Sequence, residues 1–196
     1  MNILLFGGFL GSGKTSLILQ TARYIVENKK ETVAIVENEI GEIGIDDKVL
    51  ASEGLVVRGI FAGCVCCQIT GDLLQAINEI HSTVQPDWLI IEATGLAVPG
   101  NIVVLIKKYC RCYEFLKTIV VVDSDRWEEL YEVTENLVIS QVKAGDVVLI
   151  NKIDLIDDIK CKDLIDEMKR FNDSRSEEHT SQLQSQVYIS RMPSSA

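Results

Sequence analysis

The sequence predicts an α/β domain: a doubly wound, mainly parallel sheet with helices on both sides. Three observations predict it. Short runs that are apolar on both faces recur along the chain, segments with helical spacing separate them, and the first run stops at a glycine just before a helix. A strand that alternates apolar and polar residues has one wet face, whereas continuous apolar runs between helices are what a parallel sheet covered on both sides requires. A chain of 196 residues with 47% hydrophobic content can bury one full core of single-domain size.

The elements follow in order. Residues 2–7, NILLFG, read as the first strand, and residues 16–29 as a helix, with Leu17, Leu19, Ile25 and Val26 at helical spacing. TVAIVE at 32–37 is a second strand, followed by a helix near 71–82, a strand within DWLIIEATG at 87–95 and a helix near 100–112. TIVVVD at 118–123, a helix near 134–143, DVVLINKID at 146–154 and a charged amphipathic helix near 159–171 complete the pattern. Pro86 and Pro99 stand at element boundaries, where a missing N–H is tolerated.

Composition excludes several classes of function. The net charge is −10, and an acidic chain opposes the clustered Lys and Arg that phosphate tracking needs, so no nucleic-acid partner is expected. No apolar run approaches spanning length and no leader pattern opens the chain, so the expectation is a cytoplasmic protein with no membrane partner. Thiols stay reduced in that compartment, which turns six cysteines toward metal or reactive chemistry before a disulfide framework.

Residues 175–196 stand apart. RSEEHTSQLQS and the closing MPSSA resemble a translated sequencing-library adapter, and the segment is expected to be a non-native tail, outside the fold. Its removal takes away two charges of each sign and His179, leaving His81, a helix-end residue read as a cap.

Four motifs carry chemistry. GFLGSGKT, Gly8 to Thr15, fits G-x-x-x-x-G-K-[ST] and lies between the first strand and first helix, the context a P-loop demands. Its amides, from Gly11, Ser12 and Gly13 through Ser16, would hold phosphate oxygens, Lys14 would reach the β and γ phosphates, and the Thr15 hydroxyl would take a Mg²⁺ position. The bland alternative is a plain glycine-rich turn. NKID, Asn151, Lys152, Ile153 and Asp154, follows an apolar strand, where P-loop GTPases read guanine through an Asp that accepts from the base. Without a P-loop the same tetrad would be a solvated turn with Asp as N-cap. In IEATGLAVP, residues 91–99, Glu92 ends a strand and can organise Mg²⁺ or its waters, while the Gly95 amide can report the γ phosphate. Lys14 and Glu92 are therefore the candidate catalytic residues, and Asp123, ending the next strand, is read as structural. ENEIGEIGIDD, residues 37–47, is either a solvated acidic loop or a switch loop lending carboxylates to a metal.

GCVCCQITGDL places Cys64, Cys66 and Cys67 within four positions. Adjacent Cys66 and Cys67 have Cα atoms about 3.8 Å apart, short for a disulfide. Cys64 and Cys67 form a C-x-x-C pair, so redox exchange competes, and packing is the bland alternative. Three thiolates suit Zn²⁺, Co²⁺, Ni²⁺ or Cu⁺ and leave an exchangeable position. Cys110 and Cys112 are read as C-x-C on a helix, with side chains on different faces and a structural role. Cys161 is read as packing.

GGFLGSGKTS, ENEIGEIGIDD, GCVCCQITGDL, EATGLAVP and NKID, in this order over residues 7–154, resemble the CobW-like metallochaperone GTPases, relatives of UreG and HypB. The resemblance implies a P-loop GTPase domain at 1–174 and GTP hydrolysis coupled to insertion of a transition metal into a client protein. It implies Mg²⁺ at Thr15 and Glu92, and a transition metal, Zn²⁺ first with Co²⁺ or Ni²⁺ as alternatives, at Cys64, Cys66 and Cys67 aided by Glu37 or Glu42. It also implies a C-terminal domain absent here, and a last strand and guanine loop beyond residue 174, so that a sheet edge is expected to be exposed. Homodimer formation is left open. The rival readings are a nucleotide-dependent metal sensor or store, and a P-loop kinase.

Overall fold

The computed structural model describes residues 1–37, 55–59, 68–173 and 186–189. These form two compact units, one of residues 1–6, 15–93 and 101–116, the other of residues 7–14, 94–100 and 117–196. The architecture is the expected α/β fold with parallel strands joined through helices.

In the first unit the strand order is β3-β2-β4-β1, from β1 (Asn2–Gly7), β2 (Val33–Glu37), β3 (Leu55–Gly59) and β4 (Trp88–Glu92). All three pairings are parallel, with Leu4 opposite Ile90, Ile35 opposite Ile90 and Val57 opposite Ile35. Consecutive residues Ile3 to Phe6 of β1 are buried, as are Val33 to Val36 of β2, so both faces are covered and the unbroken apolar runs are explained. Each such Ile or Leu contributes about 1.5–3 kcal/mol. α1 (Lys14–Tyr24) starts inside the phosphate-loop motif and continues as a π turn, Ile25–Lys29, until Lys30 takes a left-handed conformation (φ 59°). α2 (Gln68–Thr83) and α3 (Pro99–Tyr109) follow, with Pro99 at the first helical position, where its missing N–H costs nothing.

The second unit contains the order β5-β6-β7, from β5 (Phe115–Asp123), β6 (Val147–Asn151) and β7 (Gln186–Ile189), again in parallel register. α4 (Trp127–Ala144) and α5 (Asp158–Asp173) pack on it, and Val120, Val148, Ile150, Leu130 and Met168 share one core.

Three expectations need correction. β3 was not anticipated, because its apolar run is only Leu55, Val56 and Val57 before Arg58 and Gly59. The helix expected near 134–143 begins at Trp127. The expected start coincides with a kink at Thr134 (φ −132°, ψ 34°), whose hydroxyl donates to Leu130 O at 2.7 Å. The edge of β6 is covered by β7, which lies inside the adapter-like segment and pairs from Val147–Gln186 to Ile150–Ile189. QVYI is a run of β-branched and aromatic character that suits a sheet position whatever its origin.

Candidate functional site

The second unit holds the glycine-rich loop, residues 7–14. Gly8 and Gly13 have φ of 128° and 94°, a region that L side chains rarely enter. A Cβ on Gly8 would run into Val121 O, and one on Gly13 into the side-chain nitrogen of Asn151. The loop is thereby pressed against the ends of β5 and β6. Ser12 N donates to Phe9 O at 3.2 Å, and Lys14 Nζ donates to the same carbonyl at 3.2 Å. Lys14 is 4% exposed, a buried cation of the kind that is stable only among oxygen acceptors.

Asn151 ties the NKID tetrad, residues 151–154, to this loop. Its Nδ2 donates to Ser12 O at 2.9 Å across 139 residues of sequence. Ser12 Oγ and Asn151 Oδ1 are buried polar atoms that find no hydrogen-bond partner among the described residues, and of the two the Ser12 hydroxyl is a donor that a phosphate oxygen can accept from. Lys152 adopts a left-handed conformation (φ 62°) and its Nζ contacts Asp123 Oδ2 at 2.7 Å. Asp123 Oδ1 also accepts from the amides of Asp125 at 3.2 Å and Arg126 at 3.4 Å, at the start of α4. Asp154, in the 3-10 turn Ile153–Leu155, is exposed, and its carboxylate is an acceptor.

Gly95 is in the same unit, in the loop between β4 and α3. A Cβ there would come within 2.6 Å of Leu10 N, so only glycine allows this approach. Gln141 of α4, 2% exposed, donates to Gly95 O at 3.0 Å and Ala97 O at 2.8 Å. The sequence reading missed Gln141, and it left the Lys152 contact of Asp123 unseen. A side-chain contact across 46 or 29 residues leaves no local pattern to find.

In the first unit, Thr15 Oγ1 donates to Glu92 Oε1 at 3.0 Å and approaches Oε2 at 3.3 Å. Glu92 is 3% exposed, and Glu37 of β2 is its register partner, so two carboxylates end neighbouring strands. A hydroxyl and a carboxylate are hard oxygen donors, and this donor set fits Mg²⁺ rather than a soft metal. Ser16 is exposed in the first turn of α1.

Glu42, Cys64, Cys66 and Cys67 lie outside the described residues. Among the described residues no group of three His, Cys, Asp or Glu is placed to hold a metal ion. Cys110 and Cys112 were expected on a helix, and this is corrected, because α3 ends at Tyr109. Cys110 is buried, and burial first, then the neighbouring Cys112 thiol, push its thiol up to about 11, the mark of an inert cysteine.

A model of the CobW/HypB/UreG nucleotide-binding domain matches residues 2–178. Zinc chaperone YjiA of Escherichia coli is 31% identical over 162 residues, which cover 78% of this chain and 49% of that protein. Zinc chaperone YeiR of the same organism is 33% identical over 152 residues, covering 76% and 46%. The crystal structure of the Zn(II)-bound YjiA GTPase from E. coli is similar with a TM-score of 0.63 at 26% identity, covering 86% of this chain and 54% of that one. The hydrogenase maturation factor HypB from Archaeoglobus fulgidus shares the fold, with a TM-score of 0.64 at 18% identity over 97% of this chain and 81% of that one. The chain spans about half the length of the two zinc chaperones it matches.

Proposed function

The chain belongs to the CobW/HypB/UreG nucleotide-binding domain family, and from that premise we propose that it binds and hydrolyses GTP and couples the nucleotide state to handling of a transition metal. The carrying observation is the Asn151–Ser12 hydrogen bond, which joins the base-reading tetrad to the phosphate loop in one unit. Lys14 and the amides of Gly11 to Ser16 hold the phosphates, Asp154 accepts from the guanine N1–H and its exocyclic N2 amino group, and the Gly95 amide meets the terminal phosphate. Thr15 and Glu92 would hold Mg²⁺, which when bound neutralises charge on the phosphates. Water, held in line by these positioned groups, splits GTP to GDP and phosphate, and turnover is slow without a partner that completes the site.

The metal is cargo. Cys64, Cys66 and Cys67, aided by Glu37 or Glu42, are the proposed ligands, Zn²⁺ the proposed ion with Co²⁺ or Ni²⁺ as alternatives, and a metal-receiving client protein the proposed partner, in the cytoplasm. Among the described residues no helix is long and apolar enough to cross a membrane.

The test is a Co²⁺ titration of the chain, following thiolate-to-metal absorption without nucleotide and with Mg²⁺ and a nonhydrolysable GTP analogue. Linkage requires that GTP and metal change each other's affinity by one factor, and an allosteric coupling would show as a change of at least about fivefold. The change should vanish when Cys64, Cys66 and Cys67 are replaced by Ala. Metal binding indifferent to nucleotide, in a chain that does bind GTP, would sink the coupling.

A further inference from the structure

We propose that Gln141 is a positioning residue that sets Gly95 to sense the terminal phosphate of the nucleotide. The inference rests on the GTP reading above and adds to it a residue outside every motif in the sequence. α4 buries Trp127, Leu130, Val138 and Val142 along its core-facing stripe, and Gln141 falls on that stripe with 2% exposure. A carboxamide at such a position is costly unless its hydrogen bonds are made, and a leucine would pack there without that cost. The Gln141 amide nitrogen makes two to one target, the loop after β4. Its Nε2 bridges Gly95 O and Ala97 O, while Ala97 N donates to Thr94 O at 3.0 Å and closes the turn between them.

The geometry divides Gly95 into a fixed side and a working side. Its carbonyl lies in the peptide plane shared with Leu96, and Gln141 holds that plane. Its N–H lies in the preceding plane, shared with Thr94, and is not a partner of Gln141. Opposite, the approach to Leu10 N leaves no room for a side chain. Gln141 thus holds this loop, which lies close to Leu10, through carbonyls alone, and its hydrogen bonds leave the Gly95 N–H out of the contact. Ordering in advance is what makes a single backbone donor worth a measurable difference in affinity.

A purely structural staple would affect all nucleotides alike. A residue that positions Gly95 affects only those carrying a γ phosphate. The experiment measures affinity of the full chain for GDP and for a nonhydrolysable GTP analogue, both with Mg²⁺, in wild type, Gln141→Met and Gln141→Leu. Met keeps length and volume and removes the donor. We expect GDP affinity within about twofold of wild type and the analogue weaker by roughly tenfold, the worth of about one to two net hydrogen bonds. An equal loss for both nucleotides, or none for either, overturns the inference and leaves the GTP reading standing. Absence of guanine-nucleotide binding by the wild type overturns both. Should either variant fold poorly, hydrogen exchange on the wild type decides the matter. The Gly95 amide should gain protection with the GTP analogue and not with GDP, and equal protection by both rejects the role.

Discussion

β4 and β5 both end in a buried acid, Glu92 in one unit and Asp123 in the other, each 3% exposed. They differ in what donates to them. Asp123 accepts from the Lys152 ammonium at 2.7 Å and from two backbone amides, so its charge is met by an opposite charge and two dipoles. Glu92 accepts from the Thr15 hydroxyl at 3.0 Å, a neighbour that is itself a hard oxygen. Asp123 is committed to holding Lys152 in its left-handed position and the start of α4 in place. The Thr15–Glu92 pair presents hard oxygens of the kind a divalent cation takes. Two acids that each end a strand are therefore set in different company, an ammonium and two amides at Asp123 and a threonine hydroxyl at Glu92.

The widest separation between them should appear in turnover. Glu92→Gln keeps an acceptor for the Thr15 hydroxyl and removes the charge. Phosphate release from GTP with Mg²⁺ should fall by roughly a hundredfold or more, with GDP binding altered only a few-fold. Unchanged turnover would break the comparison, since Glu92 would then be as structural as Asp123. The reciprocal change, Asp123→Asn, should show chiefly in stability. It leaves the Lys152 ammonium, whose side chain is 23% exposed, against a neutral amide. Buried pairs lose several kcal/mol when one partner is removed, and partial access to water reduces this to about 2 kcal/mol, read from the urea midpoint. Adding Lys152→Met should restore part of the loss, and failure of the double variant to recover any would show that the amides, not the lysine, are what Asp123 holds.

Much of this contrast was legible in the sequence, and the illegible part has a physical cause. Apolar runs such as Ile3–Phe6 and Val33–Val36 are continuous because both faces are covered, and periodicity finds them easily. The phosphate loop and the tetrad at Asn151–Asp154 are local in sequence, so spacing alone locates them. The Asn151–Ser12, Lys152–Asp123 and Gln141–Gly95 bonds link residues 139, 29 and 46 positions apart, and no window contains both ends. Helix limits failed where tertiary contacts override local preference. Trp127 anchors the first turns of α4 by donating from its indole to Glu167 on α5 at 2.9 Å, and WEELYE reads locally as a polar segment. The C-x-C pair was expected on a helix, yet the helix ends at Tyr109, the residue before Cys110.

A third acid sharpens the comparison at its weak end. Asp87, exposed just before β4, accepts from the Thr32 amide and the Thr32 hydroxyl, both at 2.8 Å, and its own amide donates back to that hydroxyl at 3.0 Å. The Thr32 backbone hydrogen bond first, and its hydroxyl second, hold the Asp87 carboxyl below its ordinary value. Like Glu92 it accepts from a threonine hydroxyl, but it stands in water, where such bonds are worth little. A depressed acid contributes stability that is present above its unfolded pKa, near 3.9 for Asp, and is lost as pH falls through the lower folded value. Asp87→Asn should therefore cost on the order of 0.5 kcal/mol at pH 6, after allowance for solvent screening. The gap between variant and wild type in the urea midpoint should narrow as pH is taken below the ordinary carboxylate range. A gap of equal size at pH 6 and pH 2.5 would mean that the ionised form adds nothing. Neutral donors would then hold an acid in place without favouring its charge.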